Sequence, residues 1–422
     1  MAVEKVLGLD EVRLDGLKVL FRADLNLPLD PNTKRFLDDT RMRMIVPSLK
    51  KLERSSVVIL AHQSRPGRYD FTDMRSHSER LSKILERDVN FVPDICGRDA
   101  LHAIESLKPG GVLILDNIRI HRDENEMRGQ TTDMESSEIV QKLAPFFDLF
   151  VNDAFGSAHR SSPSLIGFTR LLPSVAGSLL KREIDALSIA VDNPPRPYVA
   201  ILGGAKADDS LGVASNLLEK EHIDKVVFLG VVGNFMLLAD GVDIGLRNAN
   251  FAMNQVHPNE EVTMKLAKRI LSEFREKIIL PEDLAIEVNE KRAQISLSEL
   301  PTEHPIYDVG IGTLKALHPI IRESSCVLWN GPASYFEKDN FAFGTVEVLN
   351  MVTETNAMTI IGGGHTSALV EARGASGSVT HNSSGGGATL TMLSGGDMPV
   401  IRSLTESYEA SKSTLSERNM LL

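Results

Sequence analysis

Cysteine is scarce: Cys96 and Cys326 are the only two in 422 residues, and they lie far apart. That excludes a disulfide framework and makes a reducing compartment the expectation. Cys326 stands in an apolar run, Cys326-Val327-Leu328-Trp329, and reads as a buried, inert thiol rather than a nucleophile. Long apolar stretches are lacking too, so no membrane span is expected. Met1 to Asp10 has no basic-then-apolar signal pattern, and a cytoplasmic location is expected. Positive net charge is missing: the balance is −11, which argues against nucleic acid or a membrane surface as partner. No His/Cys/Asp cluster has structural-zinc spacing, so no metal-ligand residues are assigned. Walker A, a G-x-G-x-x-G followed by an acid, and the G-x-S-x-G elbow of serine hydrolases are all absent. No tandem repeat at a solenoid period occurs.

What is present is ordinary globular composition, 42% hydrophobic and 24% charged. At 422 residues the chain is too long for one core and implies two or three domains. Short runs rich in Val, Ile and Leu alternate with segments of helical period, which predicts βαβ units and parallel sheets. Residues 43–52 read as a helix kinked at Pro47, and 76–86 as another with Leu81, Ile84 and Leu85 on one face. The rhythm fills residues 15–170 and resumes at 197. Between them, 175–190 reads as a helix with Leu179, Leu180, Ile184 and Leu187 on one side, stopped by the proline-rich 192–197. The expected fold is α/β, with two Rossmann-like lobes whose parallel sheets are flanked by helices. The expected domains are 1–172, a helix and linker at 173–196, and 197–402. The polar segment 411–422 reads as disordered.

Basic residues follow the ends of several strand-like runs. Val19-Leu20-Phe21 leads to Arg22, Asp24 and Asn26, and Val57 to Leu60 leads to His62 and Arg65. Val112 to Leu115 leads to Arg119; Leu149-Phe150-Val151 leads to Asn152-Asp153 and then His159-Arg160. Open parallel sheets bind ligands outside the carboxyl ends of their strands. Arg22, Arg41, Arg65, Arg119 and Arg160 supply planar donor forks suited to carboxylate or phosphate. Asp24 and Asn26 suit a hydroxyl on the same ligand. Any one arginine alone is better explained as an ion-paired surface residue. The set points to a polyanionic hydroxy acid.

A second group is glycine-rich: Gly203-Gly204, Gly362-Gly363-Gly364 and Gly385-Gly386-Gly387, each near an apolar run. Successive N–H groups in such loops form anion-binding nests. One such loop is equally well a flexible turn, but three in one lobe favour a nucleotide polyphosphate. Lys206, directly after Gly203-Gly204-Ala205, is placed to bridge a transferring phosphoryl group; a solvated lysine at a helix start is the equal alternative. His365 by itself reads as a loop residue. An acid-binding lobe and a nucleotide-binding lobe together describe a bilobal kinase whose lobes must close and exclude water.

These segments carry a resemblance. Phe21 to Pro28, Ala61 to Gly67, Leu115 to Arg119 and Asn152 to Arg160 resemble phosphoglycerate kinases, closest to the archaeal branch. So do Leu202 to Lys206, Trp329 to Pro332, Gly362 to Thr366 and Ser384 to Ala388, all in the family's order. The resemblance implies that Asp24, Asn26, Arg41, His62, Arg65, Arg119 and Arg160 hold 3-phosphoglycerate. It implies that Arg41 and Lys206 neutralise the transferring group, with Gly363 and Gly386 also at the reacting centre, within a cap formed by Gly385 to Gly387. Gly204, Ala205, Lys206, Gly230, Asn330, Pro332 and Glu337 would line the nucleotide site, with Glu337 on the ribose. Gly362, Gly363, Gly364 and Thr366 would contact the nucleotide phosphates. Mg²⁺ would arrive with ADP or ATP. Residues 403–422 would return to the first lobe, and a monomer is expected, with a homodimer as the alternative.

The chain departs from the family pattern in places. His365 stands where many members carry an Asp that places Mg²⁺. Ser210 replaces a second Lys, and Val231-Val232 replace glycines. Ser334 stands at a usual Gly, with Tyr335 beside it. The competing readings are a non-catalytic phospholigand-binding homologue, which would be expected to lose Lys206 or several arginines, and a dinucleotide-dependent dehydrogenase, which lacks its fingerprint loop.

Overall fold

Runs of β-branched and leucine side chains, too short for helices and apolar on both faces, form the strands that organise this chain. That is the pattern of parallel sheets covered on each side. The computed structural model describes residues 5–129 and 133–422. The opening Met1–Asp10 reading therefore falls partly outside the described residues. The chain divides into two units, 1–185 with 397–422, and 186–396.

The first unit holds β1 (Lys18–Ala23), β2 (Ser56–Leu60), β3 (Val89–Val92), β4 (Val112–Leu115), β5 (Leu149–Asp153) and β6 (Ser174–Ala176). All pair in parallel, in the order β3-β4-β2-β1-β5-β6. The order changes direction at β1 and β5, and β4, β2, β1 and β5 are consecutive neighbours. Alternate side chains of each strand enter separate cores. Val19, Phe21, Val57, Ile59 and Val151 pack with Leu49, Leu81 and Leu415. Leu20, Val58, Leu60, Leu113 and Phe150 pack with Ile104, Leu143 and Phe168.

The second unit contains β7 (Tyr198–Leu202), β8 (Lys225–Phe228), β9 (Ile278–Ile279), β10 (Asp283–Val288), β11 (Lys291–Ser296), β12 (Ile306–Val309), β13 (Cys326–Asn330), β14 (Met358–Gly362) and β15 (His381–Asn382). Six form a parallel sheet, β15-β14-β13-β7-β8-β9. The other three form an antiparallel sheet, β11-β10-β12, with its own small core of Leu237, Ile244, Leu284, Ile286 and Ile306. The sequence reading did not anticipate this sheet. β11 mixes exposed and half-buried residues and lacks the continuous apolar run that marked the others.

Several local expectations change. The helix read at 43–52 is two short helices, Thr40–Met44 and Val46–Lys51, that meet at Ile45. Pro47 sits in the first turn of the second, where its missing N–H costs nothing. The helix read from 175 starts at Ser178 and runs to Asp192, because Val175-Ala176 pair with β5 as a strand. Residues 173–196, read as a helix and linker, thus include a strand of the first sheet. Segment 411–422 is ordered rather than disordered: the helix Pro399–Glu417 carries Leu415, fully buried, and Leu422 N–H donates to the Glu11 carbonyl at 3.0 Å. Only one side chain per turn need be apolar to dock such a helix, so its polar composition concealed it.

Replacing the buried Leu415 by Ala removes three carbons from a filled core and should cost about 2–4 kcal/mol. Calorimetry of the variant is expected to lower the unfolding midpoint of the first unit and leave that of the second unchanged. An unshifted first transition would mean that the C-terminal segment contributes nothing to that core.

Candidate active site

In the first unit, the carboxyl ends of β1, β2, β4 and β5 deliver the predicted residues to one region. Asp24 follows β1 and is buried. Its Oδ2 accepts from Arg41 Nη1 at 2.6 Å, across from the first turn of the helix Thr40–Met44. Its Oδ1 accepts from Asn26 N–H at 3.3 Å. A side chain at Gly156 would place a Cβ 2.5 Å from Asp24 Oδ2, so only glycine lets the turn after β5 approach this pair. Asn26 Oδ1 accepts from Ser64 N–H at 2.8 Å, which leaves its amide nitrogen to donate. Arg119 Nη1 donates to the Ser64 carbonyl at 2.5 Å.

Arg22 does not join the open forks. It is 1% exposed. Nε donates to Ser164 Oγ at 3.0 Å, Nη1 to the Ala23 carbonyl, and Nη2 faces His62 Nδ1 at 3.2 Å. An arginine has no acceptor, so Nδ1 must accept and Nε2 must carry the His62 proton. Burial holds His62 well below its usual value of 6.5, and Arg22, Arg119, Arg160 and Arg41 push in the same direction. His62 is therefore a neutral donor. Glu124, also buried, accepts from Ser162 Oγ and Ser164 Oγ at 2.7 Å and from Ser164 N–H at 3.0 Å. It partly offsets the Arg22 charge through that shared serine.

Arg65 is exposed. Burial pushes the Arg119 guanidinium down to about 10, helped by Arg22, Arg128 and Arg160. Arg160 is lowered for the same reasons, with Arg128, Arg65 and Arg41 adding to burial, and its Nε donates to His159 Nε2 at 3.0 Å. The structure thus brings Asp24, Asn26, Arg41, His62, Arg65, Arg119 and Arg160 together as an electropositive group.

Residues not singled out by the sequence reading support it. Gln63 is fully buried; its side chain accepts from Leu27 N–H at 3.0 Å and donates to the Leu27 carbonyl at 2.9 Å. Asn117, also fully buried, donates to the Gln63 and Thr72 carbonyls at 2.8 Å. Both lie inside segments singled out for His62, Arg65 and Arg119. Glu124 and Arg128 carried no sequence signal.

In the second unit, backbone approaches backbone. Gly203 N–H donates to the Asn330 carbonyl at 2.8 Å and Gly204 N–H to the Pro332 carbonyl at 2.7 Å. Gly204, Gly230, Gly331, Gly363 and Gly386 have positive φ. A Cβ on Gly331 would stand 2.3 Å from the Gly203 carbonyl oxygen. A cavity of about 850 Å³ adjoins these loops, lined by Gly204, Ala205, Gly230, Val231, Asn234, Phe251, Tyr307, Pro332, Ser334, Tyr335, Glu337 and His365, among others. Asn330 and Gly362, at the ends of β13 and β14, and Gly363, Gly364 and Thr366, at the start of the next helix, lie outside its lining. Thr366 Oγ1 accepts from Gly331 N–H at 2.9 Å and so ties the turn after β13 to that helix. Gly363 and Gly386 precede the helices Gly364–Ala372 and Gly387–Leu393. Lys206 is exposed at the start of the helix Ala207–Glu219.

The departures from the family pattern divide. Ser210 and Val232 are buried in the unit's interior, while Val231 lines the cavity. Ser334 is buried with its hydroxyl 2.6 Å from Thr345 Oγ1, and Tyr335 packs edge-on against Tyr307. Both also line the cavity. Among the described residues, Cys96, His121 and Glu138 bring three metal-capable atoms within 4.8 Å of one another, which the spacing rules did not foresee. Each is otherwise engaged. Burial raises the Cys96 thiol to about 11, His121 Nδ1 accepts from Asp123 N–H at 3.3 Å, and Glu138 pairs with Lys142 at 2.5 Å. Cys326 is fully buried, and burial pushes its thiol up to about 12.

The family description for phosphoglycerate kinase matches residues 9–396. A phosphoglycerate kinase from Methanothermus fervidus is 41% identical over 409 residues, covering 96% of this chain and 98% of that protein. One from Methanobacterium bryantii is 40% identical over 400 residues, covering 94% and 97%. The crystal structure of phosphoglycerate kinase from Pyrococcus horikoshii OT3 superposes with a TM-score of 0.85 at 36% identity, covering 96% of this chain and 99% of that one. The phosphoglycerate kinase structure from Coxiella burnetii gives 0.81 at 27% identity, covering 95% and 99%. With matches of that extent and an arginine group and glycine loops where the fold leads them, the chain belongs to the phosphoglycerate kinase family and is an enzyme of the phosphotransferase class.

Proposed function

We propose that this protein catalyses reversible phosphoryl transfer between 1,3-bisphosphoglycerate and ADP, giving 3-phosphoglycerate and ATP. The observation that carries the reading is the gathering of Arg41, Arg65, Arg119 and Arg160 around Asp24, Asn26 and the neutral donor His62. Such a group matches a phosphorylated hydroxy acid: guanidinium forks for carboxylate and phosphate, Asp24 and Asn26 for the hydroxyl. The nucleotide is assigned to the second unit. Its base and ribose enter the cavity, with Glu337 on the ribose, beside Gly204, Ala205, Gly230 and Pro332. Its phosphates take the loop N–H groups of Gly362, Gly363 and Gly364 and the Thr366 hydroxyl, with Asn330 supporting the adjoining loop.

The carboxylate oxygen and the terminal phosphorus must come within bonding reach with water excluded, so a closing movement is part of the proposed cycle. Transfer is in line, with no covalent enzyme intermediate. Arg41, Lys206 and the N–H groups of Gly363 and Gly386 neutralise charge on the moving phosphoryl group. Mg²⁺ is the expected companion of ADP or ATP. The loop 362–366 offers N–H groups, a hydroxyl and the His365 imidazole, which suit phosphate oxygens better than a hard cation. The ion is therefore assigned to the nucleotide phosphates and water, and no step is routed through a protein ligand to it. The enzyme is expected to work in the cytoplasm as a monomer.

An assay coupled to ATP-dependent formation of 1,3-bisphosphoglycerate tests the reaction; ligand binding without turnover would replace it with a binding role. Lys206→Ala is expected to lower kcat by about 10²–10³-fold, as loss of one preorganised donor does, while 3-phosphoglycerate affinity measured by calorimetry stays unchanged. Near-normal turnover in this variant would remove Lys206 from the mechanism. The His62 ring is expected to stay neutral as pH falls through 6.5. Because its folded value lies below the unfolded one, stability linked to it is full above 6.5, declines as pH falls below 6.5, and levels off once the lower folded value is passed. NMR titration of the His62 ring protons checks this, and a midpoint at or above 6.5 would contradict the buried-donor assignment.

A further inference from the structure

The helix Arg122–Glu126 and the loop Met127–Gly129 belong to no strand and to none of the glycine-rich loops. They are nonetheless firmly held. Glu124 is buried beneath Ser162 and Ser164, accepting three hydrogen bonds of 2.7–3.0 Å. Met127 N–H donates to the Asp123 carbonyl at 3.0 Å, and Gly129 N–H to the Ser161 carbonyl at 3.1 Å. The last bond falls one residue after Arg160. The backbone on both sides of Arg128 is thereby pinned beside the arginine group.

Arg128 is exposed, and no described residue forms a hydrogen bond or ion pair with it. The acids on the preceding helix are engaged elsewhere. Glu124 holds the serines, Glu126 pairs with Arg122 at 2.7 Å, and Asp123 accepts from Glu138 N–H at 2.7 Å. The charge of Arg128 acts on Arg119, Arg160 and His159, opposing a proton on each. Holding a further guanidinium near two others without a counter-ion is unfavourable until an anion arrives. Arg41 lies with Asp24 and Gly156, and is already assigned to the transferring group. A carboxylate offers only two oxygens, too few for all the forks present, whereas a phosphate monoester adds three more.

We propose that Arg128 is an additional substrate-binding residue that donates, with Arg119 and Arg160, to the phosphate at the non-reacting end of the three-carbon acid. The assignment rests on the reaction proposed above. Arg128→Gln keeps a polar, hydrogen-bonding side chain and removes the charge. It is expected to raise KM for 3-phosphoglycerate by about 3–10-fold, the range for one charge-assisted hydrogen bond at an exposed site. The kcat, the nucleotide KM and the thermal midpoint are expected to stay unchanged, and Arg128→Lys to recover part of the loss. Glycerate, which lacks the phosphate, is expected to inhibit the wild type and Arg128→Gln equally. An unchanged KM for 3-phosphoglycerate would overturn the proposal. So would equal weakening of glycerate, or a parallel loss of nucleotide affinity and thermal stability. A wild-type protein that forms no 1,3-bisphosphoglycerate would instead refute the underlying reaction.

Discussion

Repulsion among guanidinium groups is the constraint on which the first unit is built. Arg22, Arg41, Arg65, Arg119, Arg128 and Arg160 share one end of the sheet; burial first, and neighbouring guanidinium charges second, lower Arg119, Arg160 and His62. Such a group is stable only if its backbone cannot relax. The buried side chains of Gln63, Asn117 and Glu124 supply that rigidity by bonding loop to loop. Arg22 is turned inward, where Glu124 and Ser164 answer it, and its remaining effect is to fix the proton on His62. The cost of assembling cations without an anion then becomes attraction for a polyanionic ligand.

The second unit works by an opposite means. No comparable arginine group is gathered there, and close backbone approach does the positioning. Gly203, Gly204 and Gly331 pack main chain against main chain, and Gly363 and Gly386 each lead into the start of a helix. Lys206 adds one mobile charge at the end of β7. A site made of fixed dipoles and few cations, Lys206 and the Arg247 of the cavity wall, suits a phosphate chain that must be released after every turnover. The cavity beside it is walled by Val231, Phe251, Tyr307 and Tyr335 as well as polar groups.

Much of this was legible in the residues. Parallel strands announce themselves as continuous apolar runs, because both faces are covered, and the arginines after four of them were visible as a group. The antiparallel strands β10 to β12 were not, since β11 is largely wet and of mixed polarity, and β10 and β12 interrupt short apolar runs with the acids Asp283, Glu287 and Asp308. Leu415 was hidden in a polar helix for the same reason. Arg22 was read alongside the binding arginines because sequence gives the strand end but not which side of it a side chain takes. Glu124 and Arg128 were invisible because their partners, Ser162 to Ser164 and Arg160, lie dozens of residues away.

By itself the sequence determined the strand rhythm, the positions of the glycine turns and the kind of charge carried to each strand end, since these depend on local side-chain chemistry and spacing. Only the tertiary structure decided which arginine is buried, which tautomer His62 adopts and which loop stands beside Arg160. Those outcomes depend on desolvation and on contacts between residues distant along the chain, and no local pattern encodes either.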